Sequence, residues 1–183
     1  MKKILAAAFL SLAAFGASAE RADSLKQAVI NFDTLDVDEV TQTRILTGNV
    51  VLTRGTLVLK SDRALVKETP EGYMSVTLTA NSGKLATFRQ KRDGGPDLWA
   101  EGQAQRIEYD ERAELVKLFS NAEVRELENG RMTNEIQGPF ISYDNRRQVA
   151  TVRNDASGAS KVGGGRGTLI LAPKRTASEG AKQ

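Results

Sequence analysis

The side chains that most often carry enzyme chemistry are missing here: the 183 residues include no histidine and no cysteine. That removes the Ser-His-Asp triad, cysteine nucleophiles, Cys/His zinc sites, the usual haem ligation and disulfide staples. Any chemistry would rest on carboxylates, lysines, hydroxyls or a metal held by oxygen. Carboxylates are plentiful, among them Asp33, Asp36, Asp38, Glu39, Glu101, Glu108, Asp110, Glu111 and Glu114, and a pair of them is what glycoside hydrolysis needs. None stands in a motif that demands the role. Two carboxylates spaced as Glu108 and Asp110 share one strand face, which on an exported β protein is ordinarily the solvated one. No nucleophile motif accompanies them. Gly163-Gly164-Gly165-Arg166-Gly167 has the glycines of a phosphate cradle but not the Lys-Ser/Thr ending of a P-loop, and no helix follows. A linker is the expectation there. No enzyme, cofactor or metal is predicted.

The elements that would position any site are strands. From about Gln27 to Val152 short β-type runs are broken by Gly, Asn, Asp and Pro, with almost no 3.6-residue period. Thr56-Leu57-Val58-Leu59-Lys60, Val76-Thr77-Leu78-Thr79 and Gln148-Val149-Ala150-Thr151-Val152 alternate so that one side chain in two can pave a core. Turns are expected at Thr69-Pro70-Glu71-Gly72, Arg92 to Pro96, Glu128-Asn129-Gly130 and Asp144-Asn145. Their recurrence predicts an all-β antiparallel meander or jelly roll. Glu111 to Phe119 is the best helical stretch, but alternation on both flanks argues for strand. A weak repeat places Arg106-Ile107-Glu108-Tyr109-Asp110-Glu111-Arg112 against Phe140-Ile141-Ser142-Tyr143-Asp144-Asn145-Arg146, and Leu46-Thr47-Gly48-Asn49-Val50 loosely against Phe119-Ser120-Asn121-Ala122-Glu123. Such self-similarity suggests stacked units sharing one interior, and an elongated body with open ends.

The N-terminus has the order of a secretory signal: Lys2-Lys3, an apolar run from Ile4 to Phe15, then Ala17-Ser18-Ala19 before Glu20. A dozen apolar residues fall short of the roughly 20 that cross a membrane, so cleavage between Ala19 and Glu20 and release into an extracytoplasmic space, in a bacterium the periplasm, are expected. The net charge of +3 is concentrated at the ends. Residues 20–160 hold 19 bases against 22 acids, a poor footprint for nucleic acid. From residue 154 onward Ser, Ala, Gly and basic residues predict a flexible tail. Thr168-Leu169-Ile170-Leu171-Ala172-Pro173 is the exception, a short strand or docking motif. The expected organisation is therefore a signal peptide over 1–19, one domain over 20–153 and a basic tail over 154–183.

The apolar strand positions, Ala28, Ile30, Phe32, Leu46, Val50, Leu52, Leu57, Leu59, Phe88, Leu115, Phe119, Ile136, Ile141, Val149 and Ala150, are candidates for one interior. An ordinary filled core accounts for them. With four Phe, three Tyr and one Trp after the signal, the lining would be mainly aliphatic, which leaves room for acyl chains.

Three motifs, Thr47-Gly48-Asn49-Val50-Val51-Leu52-Thr53-Arg54-Gly55, Gly83 to Gln90 and Trp99 to Tyr109, follow a signal peptide in that order. Together they resemble the OstA-like family, the LptA type of periplasmic lipopolysaccharide-transport bridge proteins, over about Val29 to Val152. The resemblance implies a single elongated, open β-jellyroll that binds lipopolysaccharide through its lipid A. It also implies head-to-tail self-association between an inner-membrane-anchored jellyroll partner (LptC-like) and the outer-membrane translocon (LptD-like). Energy would come from a separate ATPase. Exposing acyl chains to water costs about 0.8 kcal/mol per CH₂, so a continuous apolar groove suits that task. By the same resemblance Ala28, Ile30 and Phe88 would line the groove, and Lys84 and Arg89 would meet lipid A phosphates. The alternative is an exported structural or polysaccharide-binding β module with a filled core and no lipid groove.

Overall fold

The computed structural model describes residue 23 and residues 25–144, 146–147 and 149–173. The expected signal segment, with Ala19 and Glu20 at its cleavage point, and the chain from Lys174 onward lie outside the described residues. Among the described residues twelve strands follow one another: β1 (Ala28–Asn31), β2 (Thr34–Asp38), β3 (Thr43–Arg54), β4 (Leu57–Glu68), β5 (Met74–Thr79), β6 (Ala86–Lys91), β7 (Leu98–Ala104), β8 (Arg106–Asp110), β9 (Leu115–Glu128), β10 (Arg131–Asp144), β11 (Val149–Arg153) and β12 (Thr168–Leu171). Each ladder is antiparallel. The expected turns at 69–72, 92–96 and 128–130 separate consecutive strands, and Glu111 to Phe119 is a turn leading into β9.

Four strands, β3, β4, β9 and β10, run to 12 or 14 residues and change partner midway. β3 pairs with β2 over 43–47 and with β1 over 51–54. β4 pairs with β5 over 63–68 and β6 over 58–60. β9 takes β8 over 115–119 and β7 over 123–128. β10 takes β11 over 140–144 and β12 over 134–137. The continuous sheet thus folds into two halves. One has the order β2-β3-β4-β5-β8-β9-β10-β11, the other β1-β3-β4-β6-β7-β9-β10-β12. This is the jellyroll expected.

The fold line is written in the backbone. In β3 the register shifts between Thr47 and Val50, where Gly48 and Asn49 have φ of 80° and 44°. In β9 Ser120 and Asn121 have φ of 60° and 52°. β10 shifts between Gly138 and Phe140, around Pro139, a residue that strands tolerate at bulges. Gly48 has a second reason to be glycine: a Cβ there would lie 2.1 Å from Asp33 Oδ2. The Asp33 carboxylate accepts from Asn49 Nδ2 at 3.0 Å, and its N–H donates to the Thr47 and Gly48 carbonyls. The weak sequence echo between 46–50 and 119–123 therefore marks two equivalent bends.

Alternation sends one set of side chains between the halves. Leu46, Ala64, Val76, Leu78, Ile107, Leu118 and Ile141 from the first half meet Val50, Leu52, Leu59, Ala86, Phe88 and Ala104 from the second. Burying each large one contributes about 1.5–3 kcal/mol. Not every expected core residue joins them. Phe119 points to the outer face, where its ring meets Phe140 edge-on at 5.1 Å and carries the Arg106 guanidinium at 3.9 Å. Leu115 and Val149 both partner Asp144 on that outer face, and Val149 is exposed, as is Phe32.

Residues 154–167 cross the outer face and return the chain to β10. Asn154 Nδ2 donates to the Lys161 carbonyl at 2.6 Å, Asp155 pairs with the Lys161 ammonium at 2.8 Å, and Gly158 lies against the Phe140 ring. The glycine run expected to be a linker is seated closely: a Cβ at Gly165 would come within 2.8 Å of Pro139. β12 then pairs with β10 rather than with the last strand before it.

Candidate functional site

The strand pattern that builds the core also builds a cavity of about 80 Å³ between the halves. Following inward-facing positions two at a time leads from apolar wall to polar rim. From β6 the sequence is Phe88, Gln90, then Arg92 just past the strand end; on β9 Val124, then Glu126; on β10 Ile136, then Asn134; all of these line the cavity. The first half does the same with Tyr109 two residues beyond buried Ile107, and Tyr143 two beyond Ile141. Leu57, Ala100, Val116 and Ala150 complete the apolar wall.

The rim is held by ion pairs. Arg92 Nη1 lies 3.2 Å from Glu126 Oε1, within the second half. Arg54, at the end of β3 in the second half, pairs with Glu111, in the turn after β8 in the first. This pair joins the two halves, and its side chains are only 12% and 11% exposed. The remaining valences are used: Glu111 Oε2 accepts from the Met74 N–H at 2.8 Å, and Arg54 Nε donates to the Lys26 carbonyl at 3.0 Å. Buried Asp23 accepts from the Thr56 N–H at 2.9 Å, from Thr56 Oγ1 and from Gln90 Nε2. A buried charge left without such partners would cost several kcal/mol. Burial, reinforced by the Glu111 charge, pushes the Tyr109 phenol up to about 12, so the rim presents it as a neutral hydroxyl.

Apolar walls under a polar rim suit an amphiphile, chain inward and head outward. At about 80 Å³ the cavity is smaller than the ~150 Å³ that admits a benzene ring. Among the described residues no group of three or more His, Cys, Asp or Glu side chains could hold a metal ion. The carboxylates singled out in the sequence are dispersed: Glu111 is paired with Arg54, Glu101 with Arg89 and Glu108 with Arg106.

Phe88 lines the cavity. Ala28 and Ile30 lie on β1 opposite Arg54 and Leu52, at the edge of the same inner face, with Ile30 packed on the core. Lys84 and Arg89 are elsewhere. Lys84 precedes β6 and pairs with Asp62 at 3.1 Å. Arg89 alternates away from Phe88 to the outer face, 3.4 Å from Glu101 and 4.5 Å over the Trp99 ring. The rim cations are instead Arg54 and Arg92. Their sequence signal was a period-2 step from an apolar to a charged position at a strand end, which does not say which half faces which.

The family model described as LptA/(LptD N-terminal domain) LPS transport protein matches residues 29–149. The lipopolysaccharide export system protein LptA of Haemophilus influenzae is 28% identical over 173 residues, covering 94% of this chain and 92% of that protein. Its namesake from Escherichia coli K12 is 28% identical over 172 residues, covering 94% and 84%. Among solved structures, LptH, described as the LptA-homologous periplasmic component of the lipopolysaccharide transport device of Pseudomonas aeruginosa, superposes with a TM-score of 0.69 at 24% identity, covering 82% of this chain and 99% of that one. That likeness speaks for the fold. With its matched span covering the bends, the core and the rim, the chain belongs to the LptA/(LptD N-terminal domain) lipopolysaccharide transport protein family.

Proposed function

We propose that this chain is exported to the periplasm with loss of residues 1–19, binds lipopolysaccharide between its two halves, and hands it from an inner-membrane complex toward an outer-membrane translocon without chemical change. One observation carries this reading: the apolar inner face continues, uncovered, onto the edge strands at both ends. Leu35 and Val37 of β2, whose partners are Leu46 and Arg44, are 42% and 47% exposed. Leu169 and Leu171 of β12, whose partners Ile136 and Asn134 line the cavity, are 61% and 65% exposed. A module with a finished core would place polar side chains there. The names of the relatives support the cargo: they are lipopolysaccharide export proteins.

In this reading Ala28, Ile30 and Phe88 contact acyl chains, and the rim arginines Arg54 and Arg92 lie nearer the phosphates than Lys84 or Arg89 do. The open edges of β1 and β2 at one end and β11 and β12 at the other accept further jellyrolls by backbone pairing. These would be a second copy, an LptC-like partner or an LptD-like translocon.

The test is photo-crosslinking in a Gram-negative periplasm from Ile30, Phe88 and Val124, with outward-facing Arg89 as control. Lipopolysaccharide adducts at the first three and not at Arg89 are expected. Folded protein that forms no adduct at any of them would replace this reading with the filled-core module.

A further inference from the structure

The two open ends of the molecule carry opposite charge. Around β1 and β2, residues 25–42 hold Asp33, Asp36, Asp38 and Glu39 against one base, Lys26. Around β11 and β12, residues 146–173 hold Arg146, Arg147, Arg153, Lys161 and Arg166 against one acid, Asp155. Some of these charges are used locally: Asp33 by Asn49, Arg146 by Glu114, Asp155 by Lys161, and Arg147 in part by Asp144 at 3.7 Å. Asp36, Asp38 and Arg153 face outward on the same half. Leu35 and Val37 of β2 point inward, so Asp36 and Asp38 point outward. Arg153 of β11 partners Phe140, an outer-face residue. Hydrogen bonds from the 38–41 turn hold the Asp38 carboxyl below its ordinary range, keeping it ionised.

Backbone geometry alone does not choose a direction. Each half has eight strands in strict antiparallel alternation, so β2 runs opposite to β11, and β1 opposite to β12. A second copy placed end on meets an antiparallel edge in both halves. A twofold-related copy joining β11 to β12 and β12 to β11, or β2 to β1 and β1 to β2, would also pair antiparallel in both halves. Charge separates the cases, because it sets acids beside arginines only when unlike ends meet. Like charges opposed across a junction are destabilising.

We infer that the edge charges select the direction in which this chain joins a second copy of itself: the acidic β2 edge receives the arginine-bearing β11 edge, and like ends reject each other. The inference rests on the end-to-end association proposed above.

Two charge-reversed proteins test it, with sedimentation equilibrium as the readout and circular dichroism as the check on folding. One carries Asp36→Arg and Glu39→Arg, the other Arg147→Glu and Arg153→Glu; Asp38 is spared because it caps its own turn. Wild type should form a ladder of sizes that weakens as salt is raised. Each reversed protein alone should associate at least about tenfold more weakly, since like ends now meet at every junction. An equimolar mixture should recover the ladder, because every alternating junction is again unlike. Reversed proteins that associate as tightly as wild type, or a mixture no tighter than its components, would overturn the inference while leaving end-to-end association standing. A wild-type protein that stays monomeric at all concentrations would overturn both.

Discussion

Tyr109 and Tyr143 stand on either side of Val116, one on β8 and one on β10, each directly opposite it in its ladder. The same holds one step inward, where Ile107 and Ile141 flank Leu118. The 34-residue echo in the sequence is thus two strands that embrace one, in identical register, and their second aromatic step is what carries the core out to the rim.

Leu118, fully buried between those two isoleucines, should be the costliest truncation of this wall. Leu118→Ala is expected to lose about 2–5 kcal/mol of stability, measured by urea unfolding against wild type.

Breaking the pair that joins the halves should also be expensive. Arg54→Met or Glu111→Gln alone is expected to cost about 3–5 kcal/mol, because each leaves a buried charge behind. The double replacement should recover part of that loss. A double-mutant cycle in denaturant measures the coupling, and strict additivity would refute the pairing.

Alkaline unfolding should report Tyr109. Its phenol is raised from 10.0 to about 12 by burial, so the folded state holds a proton that the unfolded chain releases. The stabilisation is complete below pH 10 and is lost as pH rises toward 12. Tyr109→Phe should flatten the stability profile between those values, and an unchanged slope there would contradict the burial.

At the bend in β3, Gly48→Ala should destabilise by more than 1 kcal/mol, since it combines φ of 80° with a clash on Asp33. The partner change Asn49→Ala, which removes the hydrogen bond to Asp33 and leaves an alanine at φ of 44° but creates no clash, should cost less. Hydrogen exchange should then localise the Gly48→Ala damage to β1 and β2.

Much of the fold was legible because its information is local. Alternation in 56–60 and 76–79 and the turns at 69–72 and 128–130 required nothing distant to be read. Phe119 was misassigned because two apolar residues, Leu118 and Phe119, adjoin the bend, and period 2 alone does not say which faces in. Arg89 follows Phe88 on β6, so alternation sends it to the outer face beside Glu101 and Trp99. The Arg54–Glu111 pair spans 57 residues and joins opposite halves, so no spacing rule reaches it. The glycine run at 163–167 has the composition of a linker, yet the structure uses it for close backbone approach, which composition does not distinguish.

The fold line across β3, β4, β9 and β10 has a mechanical consequence. Every backbone ladder runs within a half or down a pair of these shared strands, as in a book whose pages separate while its spine stays sewn. Widening the cavity therefore breaks no interstrand hydrogen bond; the work goes into side-chain contacts and into the Arg54–Glu111 clasp. Binding between the halves, as proposed above, should leave amide protection in the strands unchanged.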